Sequence, residues 1–223
     1  MMSRLPAWVE IGGFWLAAVA GAVNAIGLLG FKHQAVSHLT GTSTLLGLSL
    51  VGLDVPESAH LAVILVSFLL GAALSGVVID GVALRLGRGY AIALLVEAGL
   101  LLLAMVALGQ GSTAGHYLAS AACGLQNGMV STYSGAVVRT THVSGLFTDL
   151  GVMLGGWVRG RPPDRRKAIL YLLLIAGFIA GGAAGAVGFR HLQFVSLTLP
   201  AFGAAGLAAA YWLYRHRHNG EAG

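Results

Sequence analysis

Residues 38–47 read HLTGTSTLLG, and residues 142–151 read HVSGLFTDLG. The two stretches share His, a hydroxyl residue, Gly, Thr, Leu and Gly at one constant offset of 104 positions (142 − 38). Each stretch opens a short apolar segment, so we interpret the two as matching elements of an internal repeat. Upstream, the matches lie at an offset of 103 and pair Gly21 with Gly124 and Asn24 with Asn127.

Apolar residues dominate the composition. Hydrophobic residues make up 57% of the 223-residue chain and charged residues only 9%, whereas about a quarter of the residues of a soluble domain are charged. The apolar residues run in blocks of about twenty, long enough to cross a hydrocarbon core of roughly 30 Å as helices. These features exclude a soluble multi-domain protein. They predict an all-α integral membrane protein whose partner is the lipid bilayer.

Six long apolar segments are predicted to span the membrane. Two shorter segments, 39–53 and 143–158, begin with polar clusters and are too short for a full crossing, so they are predicted to be re-entrant or half-helices. We expect one transmembrane domain over residues 1–223, with repeats over about 8–109 and 115–215. The predicted spans are 8–30, 57–84, 90–108, 115–134, 168–189 and 193–214.

The basic residues indicate the orientation. Six spans with both termini in the cytoplasm place 11 of the 13 Lys and Arg residues on the cytoplasmic side, leaving Lys32 and Arg190 outside. If both short segments crossed the membrane, only 8 of the 13 would be cytoplasmic. Six spans therefore agree better with the positive-inside rule. This rule also accounts for the net charge of +5, so no nucleic-acid partner is expected.

Each repeat contains three predicted crossings, an odd number. The second half must then be inserted upside down relative to the first, an arrangement found in many secondary transporters. The two half-helices would begin near the midplane from opposite faces, with their free N–H groups pointing inward. Such groups favour an anionic or carbonyl-bearing ligand. We therefore expect a transporter or channel for a small solute, with its path between the half-helices.

Polar residues of the repeat and of the spans are the candidate path residues. Asp149 breaks the repeat, because Leu45 occupies the matching position, and it suggests an asymmetric function. The predicted path residues are Asn24, His38, Thr40, Gly41, Thr44, Glu97, Gln126, Asn127, His142, Ser144, Gly145 and Thr148.

Each of these residues also has a structural interpretation. Thr40 and Ser144 can cap the short helices, and the intramembrane amides can serve as hydrogen bonds between helices. The two His residues can line the path, carry protons, make structural hydrogen bonds or bind a metal. Two His residues do not define a metal site, so neither a metal nor a cofactor is predicted. Glu97 is a functional candidate because acids are rare in spans, or it neutralises a basic group.

Two other classes of function remain open. One is an intramembrane metal-dependent enzyme that uses His38, His142 and Glu97, and the other is a non-transporting scaffold or assembly factor. The sequence contains no P-loop, nucleophile elbow or HExxH motif, so neither an enzyme nor coupling to a nucleotide is expected. Gly177, Gly181 and Gly185 form a small-xxx-small pattern that predicts close helix packing within the chain, with a homo-oligomer interface as the alternative.

The motif-bearing segments resemble a known family. Residues 21–50 read GAVNAIGLLGFKHQAVSHLTGTSTLLGLSL, and residues 124–151 read GLQNGMVSTYSGAVVRTTHVSGLFTDLG. They resemble the YoaK-like family of bacterial six-span membrane proteins, the domain of unknown function 1275. The resemblance implies a bacterial inner-membrane protein and supplies no substrate. This chain has Asn24 where the family usually has Asp and Thr42 where it usually has Asn, so a proton-linked role of that Asp would be lost here.

Overall fold

The computed structural model describes residues 8–30, 36–79, 88–134 and 139–219, with only the backbone for residues 8–9 and 215–219. These residues form helices joined by turns, and they include no strand, in agreement with the all-α prediction. The helices are α1 (Trp8–Gly30), α2 (Leu39–Val51), α3 (Val55–Val78), α4 (Arg88–Gly109), α5 (Ala114–Ser134), α6 (Val143–Val158), α7 (Arg165–Leu192), a 3-10 helix (Gln193–Leu197) and α8 (Thr198–Asn219).

Several helices are long and apolar enough to cross a membrane. Four described segments meet this criterion by length and composition: Glu10–Gly30, Val55–Val78, Arg88–Gly109 and Arg165–Tyr214, the last of which contains both α7 and α8. The segments α2 and α6 are shorter apolar helices of 13 and 16 residues. The protein is therefore a multi-pass membrane protein.

Helix α5 is less apolar than α1, α3, α4 and α7, and it lies inside the bundle. It does not appear among the four candidate spans. Most of its side chains are buried against protein, including Ser120 and Gln126, each at most 1% exposed. A helix surrounded by other helices can carry polar residues that hydrogen-bond to its neighbours, whereas a lipid-facing helix cannot.

Local capping sets several helix ends. Asp54 and Asp164 are the N-caps of α3 and α7, and their carboxylates accept hydrogen bonds from the N–H groups of Glu57 and Lys167 at 3.1 and 3.0 Å. The predicted span 193–214 is corrected at its start. Gln193 has a φ of 51°, which ends α7, and a 3-10 helix precedes α8. The predicted span 57–84 extends beyond the described part of the chain after residue 79.

Helices α1 and α7 run parallel and pack along their whole length. Gly177, Gly181 and Gly185 lie directly against the backbone of α1, at the carbonyl groups of Phe14, Ala18 and Ala22 respectively. The absence of a Cβ on one helix lets the two backbones meet. The predicted small-xxx-small pattern therefore packs two helices of the same chain.

Helices α3 and α5 form a second parallel pair with corresponding contacts. Gly71 of α3 lies against the carbonyl of Ala121, as Gly181 lies against that of Ala18. In the same way, Gly124 of α5 abuts the carbonyl of Phe68, and Gly21 of α1 abuts that of Phe178. Residues of α1 contact residues of α7. The residues of α5 that lie 103 positions after those of α1 contact the residues of α3 that lie 110 positions before those of α7.

Two apolar core clusters lie at the two ends of the bundle. The first contains the early part of α1 and α4, such as Ala17 and Ala93, and the late part of α5 and α8. The second contains the late part of α1 and α4, such as Ile26 and Ala104, and the early part of α5 and α8. Helices α1 and α4 therefore run in one direction, and α5 and α8 run in the other.

The short helices lie at the margin of this bundle. Helix α2 packs mainly on α3, and α6 mainly on α7. Each buries a single residue, Thr42 on α2 and Leu146 on α6. Val143 and Leu150 of α6 pack against the first core cluster, and Ser49 of α2 hydrogen-bonds to Ser58 of α3, while many of the other side chains are exposed.

Candidate functional site

His38 and His142 are the N-cap residues of α2 and α6. Their backbones adopt nearly the same conformation, with φ and ψ of −93° and 68° for His38 and −99° and 59° for His142. Each imidazole folds back over the glycine three residues later. A Cβ on Gly41 would lie 2.5 Å from His38 Cδ2, and one on Gly145 would lie 2.6 Å from His142 Cε1. The glycine in each motif therefore provides space for the ring of its own His.

This geometry corrects the predicted caps. Thr40 and Ser144 are not N-caps, because α2 and α6 begin at the residues directly after the His residues. The hydroxyls of Thr44 and Thr148 donate to the carbonyls of Thr40 and Ser144 at 3.0 and 2.9 Å. The cap preference of Thr and Ser predicts that each short helix begins after Thr40 or Ser144. Each helix begins earlier, directly after the His, because the backbone of the His itself makes the turn into the helix.

An Asn of each preceding long helix holds the residue before the His. The Ser37 hydroxyl donates to Asn24 Oδ1 at 2.9 Å, and its N–H does so at 3.4 Å. In the second half, Asn127 Nδ2 donates to the Thr141 hydroxyl at 2.6 Å. Ser37 and Thr141 are also 104 positions apart. The repeated motif therefore begins one residue earlier than the sequence analysis placed it, and each Asn binds the turn before a short helix rather than a neighbouring helix.

The two motifs meet around one cavity of ≈ 470 Å³, which we call the central cavity. Among the described residues of its lining, Arg139 is the one charged residue and there is no acid. Both motifs contribute matching residues, and α3 and α7 contribute Phe68 and Phe178. The predicted path residues in this lining are Asn24, His38, Thr40, Asn127, His142 and Ser144.

A second cavity of ≈ 390 Å³, the side cavity, shares Arg139, His142 and Ser144 with the central cavity. Its other polar groups come from α6 and α7 and include Asp149 and Tyr171. Gly145 and Thr148 of the predicted path also line it. Arg139 Nη1 lies 3.4 Å from His142 Nδ1. A continuous polar surface thus leads from the central cavity along the first turns of α6.

Four predicted path residues lie away from both linings. Gly41 accommodates the His38 ring, and Thr44 bonds within α2. Gln126 Nε2 donates to the Leu16 carbonyl at 2.6 Å and thereby joins α5 to α1. Glu97 is 1% exposed within α4, and its Oε2 has no hydrogen-bond partner among the residues that the structure describes.

Comparison with known proteins shows the family of this chain. A family model described as a protein of unknown function (DUF1275) matches residues 12–210. The chain belongs to the DUF1275 family. This match confirms the family membership that the sequence resemblance implied. No curated protein and no solved structure matched the chain.

The sequence analysis missed several cavity residues of this DUF1275 protein. It treated Arg139 only as an orientation charge and did not identify Tyr171, Phe68 or Phe178. The sequence signal that could have identified the two Phe residues is their spacing. Phe68 and Phe178 are 110 positions apart, which is also the spacing of the N-caps Asp54 and Asp164, and aligning these caps reveals the match.

A buried polar chain lies outside both cavities. His60 Nδ1 is 2.9 Å from the Tyr117 hydroxyl, and His60 Nε2 is 3.1 Å from His116 Nδ1. At the corresponding place between α1 and α7, Leu170 packs on Gly13. Among the described residues, this hydrogen-bonded group therefore joins α3 to α5 in one half of this DUF1275 protein only. No sequence motif marks it.

The described ranges contain no evident set of ligands for a metal ion. No group of three or more His, Cys, Asp or Glu residues could hold a metal ion there. Cys123, the single cysteine of this DUF1275 protein, is buried in α5.

Proposed function

We propose that the protein is a transporter or channel for a small anionic or carbonyl-bearing solute, with the central cavity as the middle of its path. The observation that carries this proposal is that both copies of the motif contribute to one cavity. Irregular backbone at membrane depth is tolerated where it packs in protein or lines a polar space. Ser37 and Thr141, directly before His38 and His142, satisfy this condition because Asn24 and Asn127 bind them.

The chemistry of the cavity lining favours the proposed solute class. His38, His142 and the nearby hydroxyls offer hydrogen bonds, and Arg139 contributes a positive charge, with no acid among the lining residues that the structure describes. The first turns of α2 and α6 add unsatisfied N–H groups. An anion or a carbonyl oxygen is the natural partner of such a set.

The architecture that we propose is a six-span bundle with a 3+3 inverted repeat. The opposite directions of α1 and α5 between the two core clusters support inversion of the second half. The corresponding contacts of the pairs α1–α7 and α3–α5 support it independently. On this plan α5 crosses the membrane despite its lower hydropathy, and α2 and α6 are half-helices.

The proposed location is the bacterial inner membrane, with both termini in the cytoplasm. The end of the bundle near the first core cluster carries the loop after α6, with Arg159 and Arg161, and the start of α7. The other end carries Arg190 at the end of α7. Basic residues concentrate in cytoplasmic loops, so the first end is assigned to the cytoplasm.

Site-directed labelling tests this topology. In a background with Cys123→Ala, we expect a membrane-impermeant maleimide to label Ser112→Cys in intact spheroplasts. We expect it to label Arg161→Cys only after permeabilisation. Both positions are exposed turns, Ser112 between α4 and α5 and Arg161 between α6 and α7. Labelling of both from the same side would show that α5 and α6 together cross an even number of times, and would reject the half-helix assignment of α6.

Flux measurements test the path. Liposomes that contain the wild-type protein should take up at least one of five test solutes faster than protein-free vesicles do. The test solutes are formate, acetate, lactate, phosphate and urea. We expect His38→Ala and His142→Ala each to lower this flux by about 10-fold or more, because each removes a hydrogen-bonding group from the cavity lining.

The control is His191→Ala. His191 is exposed in the last turn of α7 and away from both cavities, so its replacement should leave the flux unchanged. If both cavity variants are folded and retain their flux, the hypothesis that the path runs through the central cavity is rejected. Wild-type flux equal to that of empty vesicles for every compound would reject transport of this solute class.

A further inference from the structure

The side cavity lies beside α6 and α7, in the second half of the molecule. Its lining includes Arg139, Asp149 and Tyr171. At the matching positions of the first half, 104, 104 and 110 residues earlier, the sequence has Ala35, Leu45 and Leu61. All three polar groups are thus replaced by apolar ones. The fold does not require these groups at these positions, so their presence points to a ligand.

The side cavity presents charges of both signs that do not neutralise each other. Within the described part of the chain, Arg139 and Asp149 form no ion pair with one another. Arg139 lies beside His142, and Asp149 and Tyr171 line the same cavity. Tyr171 is only 2% exposed, so it belongs to the protein wall of the cavity. Both charged side chains are themselves exposed toward open space.

Charged side chains within a membrane protein are costly unless a partner neutralises them. A solute with one positive and one negative group can provide both partners at once. A simple anion would satisfy Arg139 and be repelled by Asp149.

We infer that the side cavity binds a small zwitterion that carries a carboxylate and an ammonium group. The carboxylate faces Arg139 at the junction with the central cavity, and the ammonium group faces Asp149. This inference rests on the proposed transport function, and it narrows the solute class of the same path.

The test uses matched compounds and purified full-length protein in detergent. The zwitterions are glycine, β-alanine, 4-aminobutyrate and 5-aminovalerate, which differ in charge separation. Each is compared with the carboxylate that lacks its amino group and with the amine that lacks its carboxylate. Binding is followed as a concentration-dependent rise in Tm, because a ligand of the folded state stabilises it.

For wild type, at least one zwitterion should raise Tm at concentrations where neither of its two counterparts does. Asp149→Asn should weaken binding of that zwitterion by about 10-fold or more and should not weaken binding of the carboxylate counterpart. Asp149→Leu, which copies Leu45, should do the same and provides a second variant if the first does not fold. Arg139→Gln should weaken binding of zwitterion and carboxylate alike.

Asp54→Asn is the matched control. It removes one negative charge far from the cavity, at the N-cap of α3, where Asn also caps well. It should bind the zwitterion like wild type.

The zwitterion assignment is overturned if no zwitterion raises Tm, if the carboxylate counterpart binds wild type as tightly, or if both Asp149 variants retain full affinity. Its failure can be told apart from failure of transport. Flux of a simple carboxylate that depends on His38 and His142 would keep the transport proposal and reject the zwitterion.

Discussion

Gly181→Ala is expected to destabilise the protein by about 2 kcal/mol or more, whereas Gly182→Ala, one residue later, should be neutral or stabilising. A Cβ on Gly181 would overlap the carbonyl group of Ala18 on α1. Backbone cannot move aside as a side chain can, so α1 and α7 would have to separate. A Cβ on Gly182 would lie 3.7 Å from the Gly21 carbonyl oxygen, an ordinary contact.

The two variants have the same gain in helix propensity, about 1 kcal/mol for Gly to Ala. Any difference between them therefore reports the helix contact. The measurement is the free energy of unfolding in detergent micelles, or the Tm where unfolding is irreversible. Equal effects of Gly181→Ala and Gly182→Ala would show that α1 and α7 do not touch as described.

The second helix pair offers a repeat of this experiment. Gly71 lies against the backbone of Ala121, while Gly76 on the same helix has no atom within 4 Å of an added Cβ. Gly71→Ala should therefore destabilise as Gly181→Ala does, and Gly76→Ala should not. Matching losses at Gly71 and Gly181 would also support the proposed correspondence between the two halves.

The second large expected effect is a gain of stability. Replacing Glu97 by Leu should raise the free energy of unfolding by about 1–3 kcal/mol, the cost of one buried unsatisfied polar group. Glu97 is 1% exposed, and within the described part of the chain its Oε2 has no hydrogen-bond partner. Leu207 occupies the position 110 residues later, on α8. A leucine side chain is therefore compatible with the corresponding place in the other half.

Glu97→Gln is the control because it keeps the size and polarity of the side chain. It should change stability much less than Glu97→Leu. Both variants should also be assayed for flux. If Glu97→Leu is more stable and still transports, Glu97 has no place in the path. If stability does not rise, the carboxyl group has a partner that the described contacts do not include.

A stable Glu97→Leu protein with lost flux would have a different meaning. Residues that cost stability are retained where function needs them. Glu97 lies outside both cavity linings, so it would then act on transport from within the helix bundle. The sequence-based assignment of Glu97 to the function would hold, but its assignment to the path lining would not.

Local sequence determined much of the secondary structure. The predicted bounds of α1 and α6 agree with the structure, and both short helices occur where the repeated His motif begins. Helix length depends on the length of an apolar run and on nearby turn residues, all of which are contiguous in the chain. The offset of 104 between the motifs is likewise a property of the sequence alone.

The composition of the cavities depended on tertiary structure. The sequence placed Asn24, His38, Asn127 and His142 together, because the repeat links them, and these four do line one cavity. It also grouped Gln126 with them, but this side chain turns toward the Leu16 carbonyl instead. Adjacent residues of one helix point in different directions, and the sequence does not say which direction faces which neighbour.

By itself, the sequence determined a helical membrane protein with two matching motifs, since apolar run lengths and repeat spacing are local properties. Only the tertiary structure decided that Arg139, Asp149 and Tyr171 line one cavity and that Glu97 is excluded from it. These placements depend on how α4, α6 and α7 rotate and pack against segments far away in the chain. The physical reason is that helix packing is set by contacts between side chains, and those contacts exist only in the assembled bundle.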